Sequence, residues 1–105
     1  MSKIHATITL FTTQLGGRRS PMTSSRPYHC PLFFASPIEI AQHGFDCRIL
    51  INELEINLYP GETANNIPII FLSPEEIFPY LKINMSFNIW ENGYIGEGII
   101  TKIFP

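Results

Sequence analysis

The sequence has no apolar run near the roughly 20 residues that a helix needs to cross a bilayer, so no membrane span is expected. Its first residues hold only a short alternating stretch, with no continuous apolar segment followed by a small-residue cleavage site. A secretory signal is therefore not expected, and a cytoplasmic location is the default. Charge is sparse, at 15% of the residues, and cysteine is limited to Cys30 and Cys47, alone in separate apolar segments. In a cytosolic chain such cysteines are read as reduced, buried small hydrophobes, with a disulfide between neighbouring strands left open. No Cys-x-x-Cys or His-x-x-x-His element joins them to His5, His29 or His43, so no metal site is expected. Asp46 is the sole aspartate, no nucleophile elbow occurs, and Gly96-Glu97-Gly98 falls inside a strand pattern. No catalytic residue and no enzyme activity are expected. The Gly-x-x-x-x-Gly-Lys-Ser/Thr phosphate loop is missing too, so neither nucleotide binding nor a cofactor is expected.

What is there fits one small domain, residues 1–105. A hydrophobic content of 45% and an aromatic content of 12% suffice for one core in 105 residues and not for two. Nine prolines and seven glycines punctuate the chain too often for long helices, which points to an all-β fold. The net charge of −2 hides an asymmetry: residues 1–38 carry Lys3, Arg18, Arg19 and Arg26 with no acid, a local charge of +4, and the remainder carries −6. A small positive face on an acidic body permits local anion binding and argues against broad adhesion to nucleic acid.

Alternation of Ile4, Ala6, Ile8 and Leu10 with polar neighbours predicts a half-buried strand over residues 4–13. Glycine, proline and serine then predict an exposed loop over residues 14–27, which holds Arg18, Arg19 and Arg26. Tyr28 to Phe34 reads as a strand that Pro31 confines to an edge or bulge. After a weakly patterned connection, Phe45, Cys47, Ile49 and Ile51 alternate as a third strand, and Leu54, Ile56 and Leu58 continue an alternation into a Pro60-Gly61 turn. Ile67 to Leu72 reads as a fourth strand, covered on both faces. Ser73-Pro74-Glu75-Glu76 has the form of a capping box and predicts at most one short helical turn near residues 73–79. Ile83, Met85, Phe87 and Ile89 alternate up to Asn92-Gly93, a strong hairpin signal, and Tyr94 to Phe104 returns with Gly96 and Gly98 on one face. Six apolar strands with short connections predict a closed antiparallel β-barrel, because closure removes exposed edges.

Three segments, in this order, resemble the third, C-terminal domain of bacterial elongation factor Tu. Gly16-Gly17-Arg18-Arg19-Ser20-Pro21 with Arg26-Pro27 is similar to that family's Gly-Gly-Arg-His-Thr-Pro and Tyr-Arg-Pro, and Tyr59-Pro60-Gly61-Glu62 to its Met-Pro-Gly-Asp turn. Asn92-Gly93-Tyr94-Ile95-Gly96-Glu97-Gly98-Ile99-Ile100 resembles its final Gly-Gly-Arg-Thr-Val-Gly-Ala-Gly-Val-Val. The resemblance implies a six-stranded barrel that helps to hold the acceptor and T stem of aminoacyl-tRNA and contacts the GTPase domain and the exchange factor Ts. By position, Arg18 and Arg26 match arginines of the tRNA-facing loop, Arg19 stands where the family has histidine, and Glu91 matches an acid of the last hairpin. Trp90 and Tyr94 stand where the family has arginines, Ser73 and Ser25 replace larger polar side chains, and the loop is one residue shorter.

Two sets of site residues follow. Gly16, Gly17, Arg18, Arg19 and Arg26 are candidates for anion or RNA binding, since glycine amides converge on phosphate and guanidinium forks match its oxygens. The alternative is a solvated turn whose arginine stems cover neighbouring strands. Tyr28, Trp90, Glu91, Asn92 and Tyr94 are candidates for partner contact, with an aromatic pair at the turn able to stack on a base or anchor a protein. The alternative is a cross-strand pair that only stabilises the hairpin. The expected function is that of a binding module for tRNA or a protein of the translation apparatus. The competing expectation is a protein-interaction module, such as an immunity or regulatory protein with a cognate toxin as partner.

Overall fold

A computed structural model describes residues 2–105. Six strands, β1 (Lys3–Leu10), β2 (Tyr28–Phe33), β3 (Phe45–Ile49), β4 (Thr63–Phe71), β5 (Ser86–Trp90) and β6 (Tyr94–Phe104), close into an antiparallel barrel. Around the wall the order is β1-β4-β3-β2-β5-β6, with β6 returning to β1. Every strand thus has two neighbours, and the exposed edges that so apolar a chain would otherwise present are gone.

The alternation in sequence becomes the inside and outside of this wall. Along β1, Ile4, Ala6, Ile8 and Leu10 are buried while the intervening residues are not. Phe45, Cys47 and Ile49 of β3 and Phe87 and Ile89 of β5 are buried in the same way, with Leu32 of β2, Ile67 and Ile69 of β4 and Ile95 and Ile100 of β6, and no polar or charged side chain among the described residues is buried with them. Each such isoleucine contributes on the order of 1.5–3 kcal/mol by leaving water. Gly98 is small for a packing reason, since a Cβ there would lie 2.3 Å from Cζ of Phe87. Pro31 is accommodated because β2 meets β5 only through Leu32 and Phe33, leaving the position before Leu32 outside that ladder. Pro68 pairs with His5, and its carbonyl still accepts a hydrogen bond from the Leu50 amide at 2.8 Å although its ring has no N–H to donate.

Several local expectations need correction. The alternation over Leu54, Ile56 and Leu58 does not make a strand: Ile51–Leu54 winds into a 3₁₀ turn, and Glu55 leaves it with φ of 54°. A left-handed residue there reverses the chain and breaks the extended pattern. Ile56 and Ile83 are exposed, Ile83 because β5 begins only at Ser86, after Asn84 at φ of 76°. The short helix α1 (Pro74–Ile77) forms where expected and runs on as a 3₁₀ turn, Phe78–Tyr80. Its capping box does not close, since the Ser73 side chain makes no capping bond and proline at the start already supplies the helical φ. Strand β1 ends at Leu10, because residues 13–15 turn as 3₁₀ with Gly16 left-handed behind them.

Pro60-Gly61 forms the expected tight turn. Gly61 has φ of 88°, and the Glu62 amide donates to the Tyr59 carbonyl at 3.0 Å. At the last hairpin Asn92 and Gly93 both take positive φ, 54° and 128°, and Trp90 pairs directly with Tyr94.

Candidate functional site

The loop between β1 and β2 packs against the tip of the β5–β6 hairpin. The double glycine at its base has structural work. Gly16 is left-handed, and a Cβ on Gly17 would lie 2.2 Å from the Phe11 carbonyl oxygen, so only glycine passes there. Both amides are committed inside the turn, Gly16 donating to the Thr13 carbonyl at 3.1 Å and Gly17 to the Thr12 carbonyl at 3.0 Å. Further along, Met22 is buried and exchanges two backbone hydrogen bonds with Leu58, at 2.8 and 2.9 Å. The loop expected to be exposed over residues 14–27 is therefore pinned to the barrel at Met22, in its middle.

Arg18 is the hub of the arrangement. Its side chain is only 16% exposed and forms an ion pair with Glu91 at the hairpin tip. Its Nε donates to the Ser20 carbonyl at 3.0 Å, its Nη1 to the Tyr28 hydroxyl at 3.0 Å, and its Nη2 to Ser20 Oγ at 3.2 Å and the Pro21 carbonyl at 3.3 Å. The guanidinium also lies 5.0 Å from the centre of the Tyr28 ring. Tyr28 in turn donates to Glu91. Burial, then this hydrogen bond and the Glu91 charge, push the phenol well above its ordinary range. Arg18, Tyr28 and Glu91, from three separate segments, form one closed polar network.

Arg19 and Arg26 stay exposed. Arg26, Arg18, Tyr28 and Glu91 share the walls of an open depression of about 460 Å³ under the loop. Within it the ion pair places a carboxylate beside the guanidinium, which sets the local charge against an incoming anion.

On the outer wall beside the hairpin tip, Trp90 and Tyr94 meet edge to face with ring centres 5.3 Å apart. Phe33 of β2 stands 5.9 Å from each. Trp90 is 40% and Tyr94 45% exposed. Sequence reasoning found the pair and missed Phe33. Its position opposite Asn88 in the β2–β5 ladder is what brings it in. The cluster rests on Gly44, where a Cβ would come within 2.8 Å of the Phe33 ring. Asn92 shapes the turn and is exposed.

The structure thus brings together two groups: Arg18, Tyr28 and Glu91 at the seam of loop and hairpin, and Phe33, Trp90 and Tyr94 on the wall beside it. Among the described residues no three His, Cys, Asp or Glu side chains converge as a metal site would require, and no helix is long and apolar enough to cross a membrane. No protein-family model matches this chain, and no curated protein sequence matches it significantly.

Proposed function

We propose that this barrel is a non-catalytic binding module of translation-factor type, which engages a protein partner through the aromatic wall of Phe33, Trp90 and Tyr94. The observation that carries the reading is the contrast between two surfaces at the same end of the barrel. Trp90 and Tyr94 are exposed and packed with half-buried Phe33 as a three-ring cluster, while the loop groups suited to phosphate, the Gly16 and Gly17 amides and the Arg18 fork, are occupied within the protein. Rigid exposed aromatic residues are the side chains that anchor protein interfaces.

Exposed Arg19 and Arg26 favour a second reading, binding to the tRNA backbone. Its magnitude counts against it as the main activity. Two neutralised phosphates give a log–log salt slope of about −2, well short of proteins that make roughly 6–10 phosphate contacts.

The experiment measures both partners. The purified chain is titrated by calorimetry with the products of the genes beside its own, and by gel shift with aminoacyl-tRNA at low salt. The protein reading predicts a complex that Trp90→Ala with Tyr94→Ala abolishes and that Arg19→Ala with Arg26→Ala leaves intact. A tRNA complex sensitive to the arginine pair and indifferent to the aromatic pair would replace it with the second reading.

A further inference from the structure

We infer that Cys30 and Cys47 form a redox modification site, a cross-strand dithiol that closes reversibly into a disulfide between β2 and β3. The two residues are direct partners in the antiparallel ladder, and both side chains point into the barrel wall. Their sulfurs lie 3.9 Å apart. Cross-strand partners fall within the Cα separation that disulfides use, so closure to a bond of about 2.05 Å asks for side-chain rotation rather than movement of the strands. Both thiols are free.

The pair is asymmetric in a way that orders the steps. A surface depression of about 300 Å³ on this part of the wall is lined by His29, Cys30, Pro31, Asp46, Cys47 and Leu72. Cys30 is the more exposed partner, at 7% against 1% for Cys47. The hydrogen bond to Cys30, together with burial, holds the Cys47 thiol protonated. Cys30 is therefore the attacking sulfur and Cys47 the resolving one.

The oxidant is a small disulfide of the glutathione class. Cys30 gives up its thiol proton to solvent and its sulfur attacks one of the two glutathione sulfurs; the glutathione S–S bond breaks, a protein–glutathione mixed disulfide forms, and one glutathione thiolate leaves and takes up a proton. Cys47 then releases its proton to solvent and its sulfur attacks Cys30 Sγ; the mixed disulfide bond breaks, the Cys30–Cys47 bond forms, and the second glutathione leaves as a thiolate that takes up a proton. Two protein thiols are oxidised and one glutathione disulfide is reduced to two thiols. The new bond ties β2 to β3 within their ladder of five residue pairs, which is flanked by shorter seams, β2 with β5 through two pairs and β3 with β4 through three.

The test equilibrates the folded, full-length chain with oxidised and reduced glutathione, quenches in acid, alkylates and weighs the intact protein. The expected product is lighter by two hydrogen atoms, resists alkylation and returns to the dithiol with dithiothreitol. Cys47→Ala should stop at a single glutathione adduct, and Cys30→Ala should react at least about tenfold more slowly than that variant. Wild-type protein that keeps both thiols while folded, and oxidises only in denaturant, would overturn the inference. So would a stable glutathione adduct on the wild type without closure.

Discussion

Arg18 and Glu91 are 73 positions apart in sequence and share an ion pair in the folded barrel, with Tyr28 donating to the same carboxylate oxygen. The contact fastens the β1–β2 loop to the tip of the last hairpin. Its geometry also decides how the loop arginines divide: one is a structural fastener, and two remain at the surface.

Arg18→Ala removes a mostly buried donor set and leaves Tyr28 and Glu91 without their cation. A loss of about 1–2 kcal/mol in urea unfolding is expected. In a double-mutant cycle with Glu91→Gln, the coupling energy should reach at least about 0.5 kcal/mol. Strict additivity would mean that the pair is no more than an exposed surface contact.

Tyr28 gives the fold an alkaline limit. Its phenol is raised in the folded state by burial, by the bond to Glu91 and by that carboxylate's charge. The folded chain therefore holds the proton more tightly than the unfolded one. The associated stability is whole below the ordinary tyrosine value of about 10 and is lost as pH climbs above it. Unfolding midpoints measured from pH 8 upward should fall less steeply for Tyr28→Phe than for wild type, and parallel curves would refute the assignment.

Two glycines test close packing in different places. Gly98→Ala drives a methyl into the Phe87 ring inside the core and should cost about 1–3 kcal/mol in thermal or urea unfolding. Gly17→Ala meets the Phe11 carbonyl, backbone that no rotamer change can clear, and should shift the loop as well. Amide exchange at Met22, whose N–H bonds to Leu58, should quicken in Gly17→Ala and stay close to wild type in Gly98→Ala.

Closing the Cys30–Cys47 bridge spans a sequence separation of 17 residues. The entropy removed from a loop of that length corresponds to about 3 kcal/mol of added stability. The oxidised protein should unfold at higher urea than the reduced protein, and equal midpoints would show strain cancelling the gain.

Much of the barrel was legible in local pattern. The period-2 runs at Ile4–Leu10 and Phe45–Ile49 reported which side chains face inward, and Asn92-Gly93 and Pro60-Gly61 named their turns through the positive φ each requires. The same pattern misled at Leu54 to Leu58 and at Ile83. Alternation there is real, yet left-handed Glu55 and Asn84 break the extended chain, and a single sequence does not mark such residues reliably outside glycine.

The sequence by itself determined an all-β chain, its inward-facing residues, its short helix and its main turns, because these depend on neighbours one to four positions away. Only the tertiary structure decided that β1 lies between β4 and β6, that Phe33 joins Trp90 and Tyr94, that Cys30 faces Cys47, and that Arg18 is held by Glu91. Those are contacts between distant segments. Barrel closure and strand register fix them, and both arise from burying all six strands at once.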